Sequence, residues 1–437
     1  SLKTDITGVA AFNMSSNVKL RYFKKHLKWL KILGIDIEPV ENVWYARIYR
    51  AYAVTLLSYL YLYSFLELID IIQSPDFNSM TFGLSYFVTH IIGGAKITIL
   101  ALKKTRFRQM FLKLESGFFA PNMERGGDEE FRLVKAAVRR TNIHADLFNT
   151  FVWLIIGIRV LYAVFDKGAV ATYYDKGLNI TVSRQIRTLP YKAWSPVDLN
   201  ESPAYEIMFA IQTSCLLLYG FYIGFLDSIV YGMMIHMNTQ YLLLRHLLSR
   251  YVSIAKKIAL NNRENVQDEL SESIKLPEGI EKTIILGGPL QKIIKRIVHY
   301  SAEYHIEILK YCDQIESEFS YLMLLQFLCS LYILCFQLYQ LSLVTNYLSF
   351  DSISMCLYLF LMSYQLICYC WYGNEVVVQS SEFSSYLNNT EWLSFNDSTR
   401  KSLLLMMMRS QRPTIFTAGK FAILSMETYI TVGAFGK

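Results

Sequence analysis

Glu427 stands out chemically, as a carboxylate in the otherwise mostly apolar stretch from Thr414 to Gly436. Were that stretch one helix starting at Pro413, a rise of about 1.5 Å per residue would carry Glu427 roughly 21 Å along the axis. An ionised group that deep in a bilayer is expensive and marks a functional site, here a hydrated carboxylate that attracts cations. The structural alternative is a partner for Lys420, seven residues earlier and on the same helical face. Other chemistries are missing. The histidines, His26, His90, His144, His236, His246, His299 and His305, never occur at the three- or four-residue spacing that sets two imidazoles over one metal, which argues against a membrane metalloenzyme. There is no P-loop, dinucleotide fingerprint or nucleophile elbow, and Gly287-Gly288-Pro289 reads as a break before a helix. No catalytic centre, metal site or cofactor is expected.

The elements that would position such a carboxylate follow from composition. Of 437 residues, 53% are hydrophobic and 18% charged, too apolar for an ordinary soluble protein, so the expected solvent is a bilayer. A crossing takes roughly 20 mainly apolar residues. Windows meeting that need are Ile48 to Ile71, Met80 to Leu102, Ala145 to Phe165, Tyr205 to Met234, Phe319 to Val344 and Ile353 to Tyr372. Thr414 to Gly436 is a less apolar seventh. The expected fold is therefore an all-α membrane protein with seven transmembrane helices.

Basic residues set its orientation, because cytosolic segments carry the excess of Lys and Arg. They concentrate in the amino-terminal segment (Lys19 to Lys31), after the second span (Lys103 to Lys113) and after the fourth (Arg245 to Lys257), and are absent from the turns near Pro75 and Asp351. The amino terminus is expected in the cytosol. The sequons at Asn179 and Asn200 fall in the predicted outer loop, and those at Asn13, Asn388 and Asn396 on the inner side. The seven cysteines lie in or beside apolar helices and suggest no disulfide framework, and no cleaved signal peptide is read at the amino end.

Outside the spans, apolar residues from Leu290 through Ile293, Ile294, Ile297, Val298, Ile308, Tyr311 and Ile315 to Phe319 form one helical stripe. His236 to Ile258 likewise extends the fourth span. Such stripes must be buried, and a cytosolic helical anchor bundle that also serves oligomerisation is the economical solution. The chain thus divides into a cytosolic segment (1–47), four spans with an outer loop at 166–202 (48–235), cytosolic extensions and a linker (236–318), two spans (319–372), an anchor segment (373–412) and a final helix (413–437).

Two stretches carry a family resemblance. Leu189-Pro190-Tyr191-Lys192-Ala193-Trp194-Ser195-Pro196, with Ser202-Pro203-Ala204-Tyr205 and Gln212, looks like the approach to the fourth helix of insect odorant receptors. Met408-Arg409-Ser410-Gln411-Arg412-Pro413, leading through Thr417-Ala418-Gly419-Lys420-Phe421 to Leu424-Ser425-Met426-Glu427-Thr428-Tyr429, is similar to that family's last segment. Family members usually continue for at least another helical turn beyond the position of Lys437.

The resemblance implies an odorant-binding subunit of a tetrameric, non-selective cation channel. It would assemble with the odorant-receptor co-receptor in the plasma membrane of a sensory neuron dendrite and pass monovalent and divalent cations. Its seventh helix would line the pore, through Glu427, Thr431 and Phe435. A small volatile, apolar or weakly polar, would bind between helices two, three, four and six. The residues there are Tyr86, Phe87 and His90; Trp153 and Ile156; Met208, Ile211 and Gln212; and Tyr358, Leu361 and Met362. Each aromatic could equally be core packing, and His90 an interhelical donor. Trp392, Arg409 and Gln411 belong to the anchor, while Arg159 and Lys96 read as side chains snorkelling to the interface. A G-protein-coupled receptor is disfavoured by the inverted topology and by missing Asp-Arg-Tyr and Asn-Pro-x-x-Tyr motifs. A gustatory-receptor-like channel and a secondary transporter are the rival readings, the latter without visible internal repeats.

Overall fold

The computed structural model describes residues 20–38, 42–166, 169–175, 180–264, 289–344, 349–390 and 392–434. Asn13, Asn179, most of the linker from Asn261 to Glu278, Gly287-Gly288 and Phe435 lie outside them. Among the described residues six helices are long and apolar enough to cross a membrane. They are α2 (Val43–Ile72), α3 (Phe77–Leu102), α5 (Asp128–Phe165), α6 (Ala204–Ser249), α8 (Pro289–Ser342) and α9 (Phe350–Asn388). Shorter helices are α1 (Lys24–Ile32), α4 (Lys104–Leu114), α7 (Tyr251–Glu264), α10 (Asp397–Ser410) and α11 (Met426–Ala434). Three of the long apolar runs are opened by a polar cap. The Asn42 side chain accepts from the Trp44 and Tyr45 amides, Asp76 from Ser79, and Ser349 from Ser352.

Helix α6 is the axis of the bundle. It is buried without interruption from Tyr222 to Tyr241, as befits a helix apolar on every side. Helices α5, α9 and α3 pack around it, and α8 closes against α3, α6 and α9. Helix α2 is peripheral and leaves Val43, Trp44, Ile48, Val54, Leu62 and Phe65 exposed, a surface suited to lipid.

Four spans run well past the expected windows. Helices α5, α6, α8 and α9 have 38, 46, 54 and 39 residues, where a crossing takes roughly 20. Their extensions form the anchor with α1, α4 and α10. The stripe read from sequence is its core, since Ile293, Ile294, Ile297, Val298, Ile308, Tyr311, Ile315 and Phe319 are all buried on α8. Arg125 and Glu130 form an ion pair inside it at 2.7 Å, with side chains 1% and 0% exposed. Before α1, the Arg21 and Tyr22 amides donate to Glu115 at 2.8 and 2.7 Å. Burial pushes the Glu115 carboxyl up, against the pull of those two amides. His26 on α1 is buried against Phe23 and Phe225 with neither ring nitrogen paired, and burial, reinforced by Lys25, pushes its pKa down to about 3.

Within the loop at 166–202, β1 (Ala169–Asp175) pairs antiparallel with β2 (Ile180–Ile186). One expectation is corrected. The final segment is not one helix from 413 to 437. β3 (Thr417–Ala418) pairs with β4 (Ala422–Ile423), and helix begins only at Met426. The turn between these strands explains the difference. Gly419 and Lys420 have φ of 61° and 63°, and the Phe421 amide donates to Ala418 O at 3.1 Å. Two successive left-handed residues make a type I′ turn and exclude a right-handed helix there. The hairpin is docked on the spans: the Gly419 amide donates to Ser320 O at 2.9 Å and the Thr417 amide to Glu316 Oε2 at 2.9 Å. Phe416, Ala418 and Leu424 are buried beneath it.

Two outcomes follow from this packing. A methyl group on Gly373 of α9 would lie 2.6 Å from the Leu424 carbonyl oxygen, so Gly373→Ala must displace the hairpin and should cost about 1–3 kcal/mol, read as a lower melting temperature of purified protein. His26 titrates the other way from a stabilising pair: its folded-state pKa lies below the ordinary 6.5, so stability is full above pH 6.5 and falls as pH drops toward 3. At pH 5 the loss should be about 2 kcal/mol, and His26→Leu should remove that share of the pH dependence of melting.

Candidate functional site

Helices α3, α5, α6 and α9 enclose a cavity of about 60 Å³, several times the room one water needs. Its walls follow from helical periodicity. Tyr86, Thr89 and His90 of α3, Val152, Ile155 and Ile156 of α5, Leu216, Tyr219, Gly220 and Ile223 of α6, and Tyr358, Leu361 and Met362 of α9 all line it. Spacings of three and four place each group on one stripe. Phe148 completes the α5 wall, and Tyr191, from the loop before α6, closes one end.

The polar atoms of this wall are largely engaged by neighbouring protein groups. The Tyr358 hydroxyl lies 2.5 Å from Thr89 Oγ1 and donates to Ser85 O at 3.3 Å. Tyr219 donates to Leu60 O at 2.9 Å and pairs with the Ser64 hydroxyl at 2.8 Å. His90 Nδ1 sits 2.9 and 2.8 Å from the two oxygens of Glu67 on α2, a hydrogen bond that orients the ring and ties α3 to α2. The His90 ring stacks on Tyr219 at 4.5 Å. What remains for an occupant is an aromatic and aliphatic enclosure with few free polar tips. Such a site selects by shape and by one or two hydrogen bonds.

Tyr191 is held over the cavity from three sides. Its amide donates to Gln212 Oε1 at 3.1 Å, and its ring meets Tyr86 edge-on at 4.8 Å. The Arg159 guanidinium stands 5.3 Å from the rings of Tyr191 and Phe82. Arg159 is itself buried and paired with Asp351 at the first turn of α9. It therefore does not snorkel to an interface; it fastens the loop to the bundle. Lys96 departs from expectation in the same way. It is 6% exposed and paired with Asp227 on α6 at 2.5 Å.

Six of the sequence-derived candidates face the cavity: Tyr86, His90, Ile156, Tyr358, Leu361 and Met362. Phe87 and Trp153 do not line it, for each is one residue past a lining position, and a helical step of about 100° turns it away. Trp153 is 56% exposed and packs edge-on against Phe221. Met208, Ile211 and Gln212 lie a turn or more beyond Leu216 toward the loop, and Gln212 instead positions Tyr191. Sequence reasoning missed Val152, Ile155, Leu216, Tyr219 and Ile223; the first two flank Ile156 within a turn and the others continue the stripe of Gln212, so all were findable from periodicity. Glu67 and Asp227 gave no such signal, because their partners are 23 and 131 residues away.

Away from the cavity, Glu427 and Thr431 are exposed on α11, and the Thr431 hydroxyl donates to the Glu427 carbonyl at 2.9 Å. With α11 starting at Met426, Glu427 stands in its first turn and Lys420 belongs to the hairpin turn, so the continuous helical rise and the shared face expected of that pair do not exist. Trp392 is half-buried against the anchor core, while Arg409, whose guanidinium donates to Arg412 O at 2.8 Å, and Gln411 are exposed at the end of α10.

Replacing Arg159 with Met removes two cation–ring contacts and the tie to Asp351. Hydrogen exchange at the Tyr191 and Trp194 amides, which are bonded to Gln212 and Leu66, should accelerate about tenfold. Exchange in α6 should stay unchanged.

Comparison with known proteins agrees with this architecture. The profile of the family described as 7tm Odorant receptor matches residues 76–435. Odorant receptor 10 of Aedes albopictus is 24% identical over 250 residues, covering 56% of this chain and 56% of that protein. Odorant receptor Or2 of Anopheles gambiae is 32% identical over 127 residues, covering 29% of this chain and 33% of that one. The matched stretches thus span about half the length of these relatives or less. Odorant receptor 85b of Drosophila melanogaster aligns more fully, at 23% identity over 379 residues and 85% and 84% of the two chains. The solved insect olfactory receptor OR5 from Machilis hrabei in complex with eugenol shares the fold, with a TM-score of 0.69, 14% identity and 95% of each chain covered.

Proposed function

The chain belongs to the insect odorant receptor family, a family of multi-pass plasma-membrane receptors and not of enzymes, and on that footing we propose that it is the odorant-binding subunit of a ligand-gated, non-selective cation channel. The observation that carries the reading is the cavity between α3, α5, α6 and α9, walled by aromatic rings whose polar tips are bonded to neighbours. It suits a small volatile that is apolar or weakly polar. The relative from Machilis hrabei is solved with eugenol, a molecule of that class.

In this reading the end of the bundle that carries β1 and β2 is extracellular and the anchor cytosolic, where it meets sister subunits and the co-receptor. Helix α11 borders the ion path, with Glu427 and Thr431 toward it. An occupant opens the path only as far as it binds the open arrangement more tightly than the closed one.

Expression in cells lacking endogenous receptors, with and without the co-receptor, tests this directly. Eugenol, phenylethanol, methyl benzoate, octanol and heptanone are applied in turn. At least one should evoke inward current with the co-receptor and none without it. Current from the chain alone favours a gustatory-receptor-like channel, and uptake without conductance a transporter. In the conducting assembly Glu427→Gln should lower the permeability to divalent relative to monovalent cations by about threefold, as expected for loss of one carboxylate beside the path.

A further inference from the structure

Below the cavity, four helices are joined by a closed ring of side-chain hydrogen bonds. Lys96 of α3 donates to Asp227 of α6 at 2.5 Å and to Gln326 Oε1 of α8 at 2.6 Å. Gln326 donates in turn to Gln365 Oε1 of α9 at 2.9 Å, and Gln365 donates to the second oxygen of Asp227. Tyr369, one turn further along α9, gives its hydroxyl proton to Asp227 at 2.8 Å. Every member is at most 6% exposed.

The place of this ring matters as much as its bonds. Asp227 is four residues past the cavity residue Ile223, Gln365 is three past Met362, and Lys96 is six past His90. On the far side, Gly373 lies one turn past Tyr369 and supports Leu424, the residue that leads into α11. The same helix α8 that holds Gln326 also holds Gly419 through Ser320. Helices α3, α6 and α9 therefore run from the cavity wall to Asp227 and its donors, and α8 and α9 run on from there to the seat of the final helix.

We propose that Asp227 is a positioning residue that transmits occupancy of the cavity to α11, an inference that rests on the ligand-gated reading above. A carboxylate claimed by donors from two helices cannot be deformed gradually, since a lost partner leaves a charge uncompensated in a dry interior. The ring has room to rearrange. A second cavity of about 30 Å³ lies against Lys96, Asp227 and Tyr369 and is otherwise bounded by apolar residues such as Phe107, Phe319 and Met323. An occupant that shifts α3 against α6 must move the ring as a unit, and α8 and α9 carry that movement to the hairpin.

The test uses the full chain with its co-receptor and, as probe, whichever of eugenol, phenylethanol, methyl benzoate, octanol and heptanone evokes the largest wild-type current. Three quantities are measured: surface amount, probe binding by thermal stabilisation of the purified assembly, and evoked current per surface subunit. Lys96→Met/Asp227→Leu removes both charges and keeps the core filled; Tyr369→Phe removes one hydrogen bond. The double variant should bind the probe within about twofold of wild type yet lose about tenfold or more of its current, the range of ordinary coupling free energies. Tyr369→Phe should show the same split more weakly. Binding and current falling together would mean packing alone, and unchanged current in either variant at the surface would overturn the proposal. If the double variant fails to reach the surface, Tyr369→Phe decides. A wild-type assembly that reaches the surface but answers none of the five probes fails the ligand-gated reading itself, and this inference with it.

Discussion

A charge placed among apolar helices must find its partner on another helix, and that requirement organises this molecule. Glu67 meets His90 between α2 and α3, Lys96 meets Asp227 between α3 and α6, and Arg159 meets Asp351 between α5 and α9. Apolar packing alone leaves neighbouring helices free to slide or rotate, because lipid tails are as apolar as leucine. A bonded pair of this kind fixes rotation about both axes at once. The cavity exists because these pins hold the walls at set angles while bulky rings keep them apart, and each of its four helices carries at least one of them.

Hydropathy made six of the spans legible to within a few residues at their outer ends, because a bilayer demands a minimum apolar length whatever the tertiary context. It could not show that α5, α8 and α9 continue into the anchor as single helices, since outside lipid only a stripe pattern signals helix; that pattern did carry the fourth span past His236. The final segment was misread for a local reason. Thr417 to Ile423 is apolar enough to pass as part of a span, and Gly419-Lys420 is a weak turn signal until the backbone angles are seen.

The cavity was legible in its helices and only partly in its residues. A sequence names which helices are aromatic, but rotation about each axis decides which ring faces inward, so Tyr86 and Ile156 line the space while Phe87 and Trp153 turn away. The ionic partners were illegible altogether. Arg159 and Asp351 are 192 residues apart, and a lone cation near a helix end looks the same whether it reaches water or a carboxylate. Tyr191 fell between these cases, conspicuous within its motif yet without a role until its amide was found on Gln212.

The hairpin at Thr417 to Ile423 gives the last helix a fixed mount, with backbone bonds to α8 at its root and Gly373 of α9 pressed against Leu424. Mechanically that is a fulcrum. The nine described residues of α11 make a lever arm about 13 Å long, so a tilt of about 10° at the mount displaces its tip by about 2 Å. A fold that stays nearly rigid through its bundle can in this way deliver an appreciable stroke at one extremity.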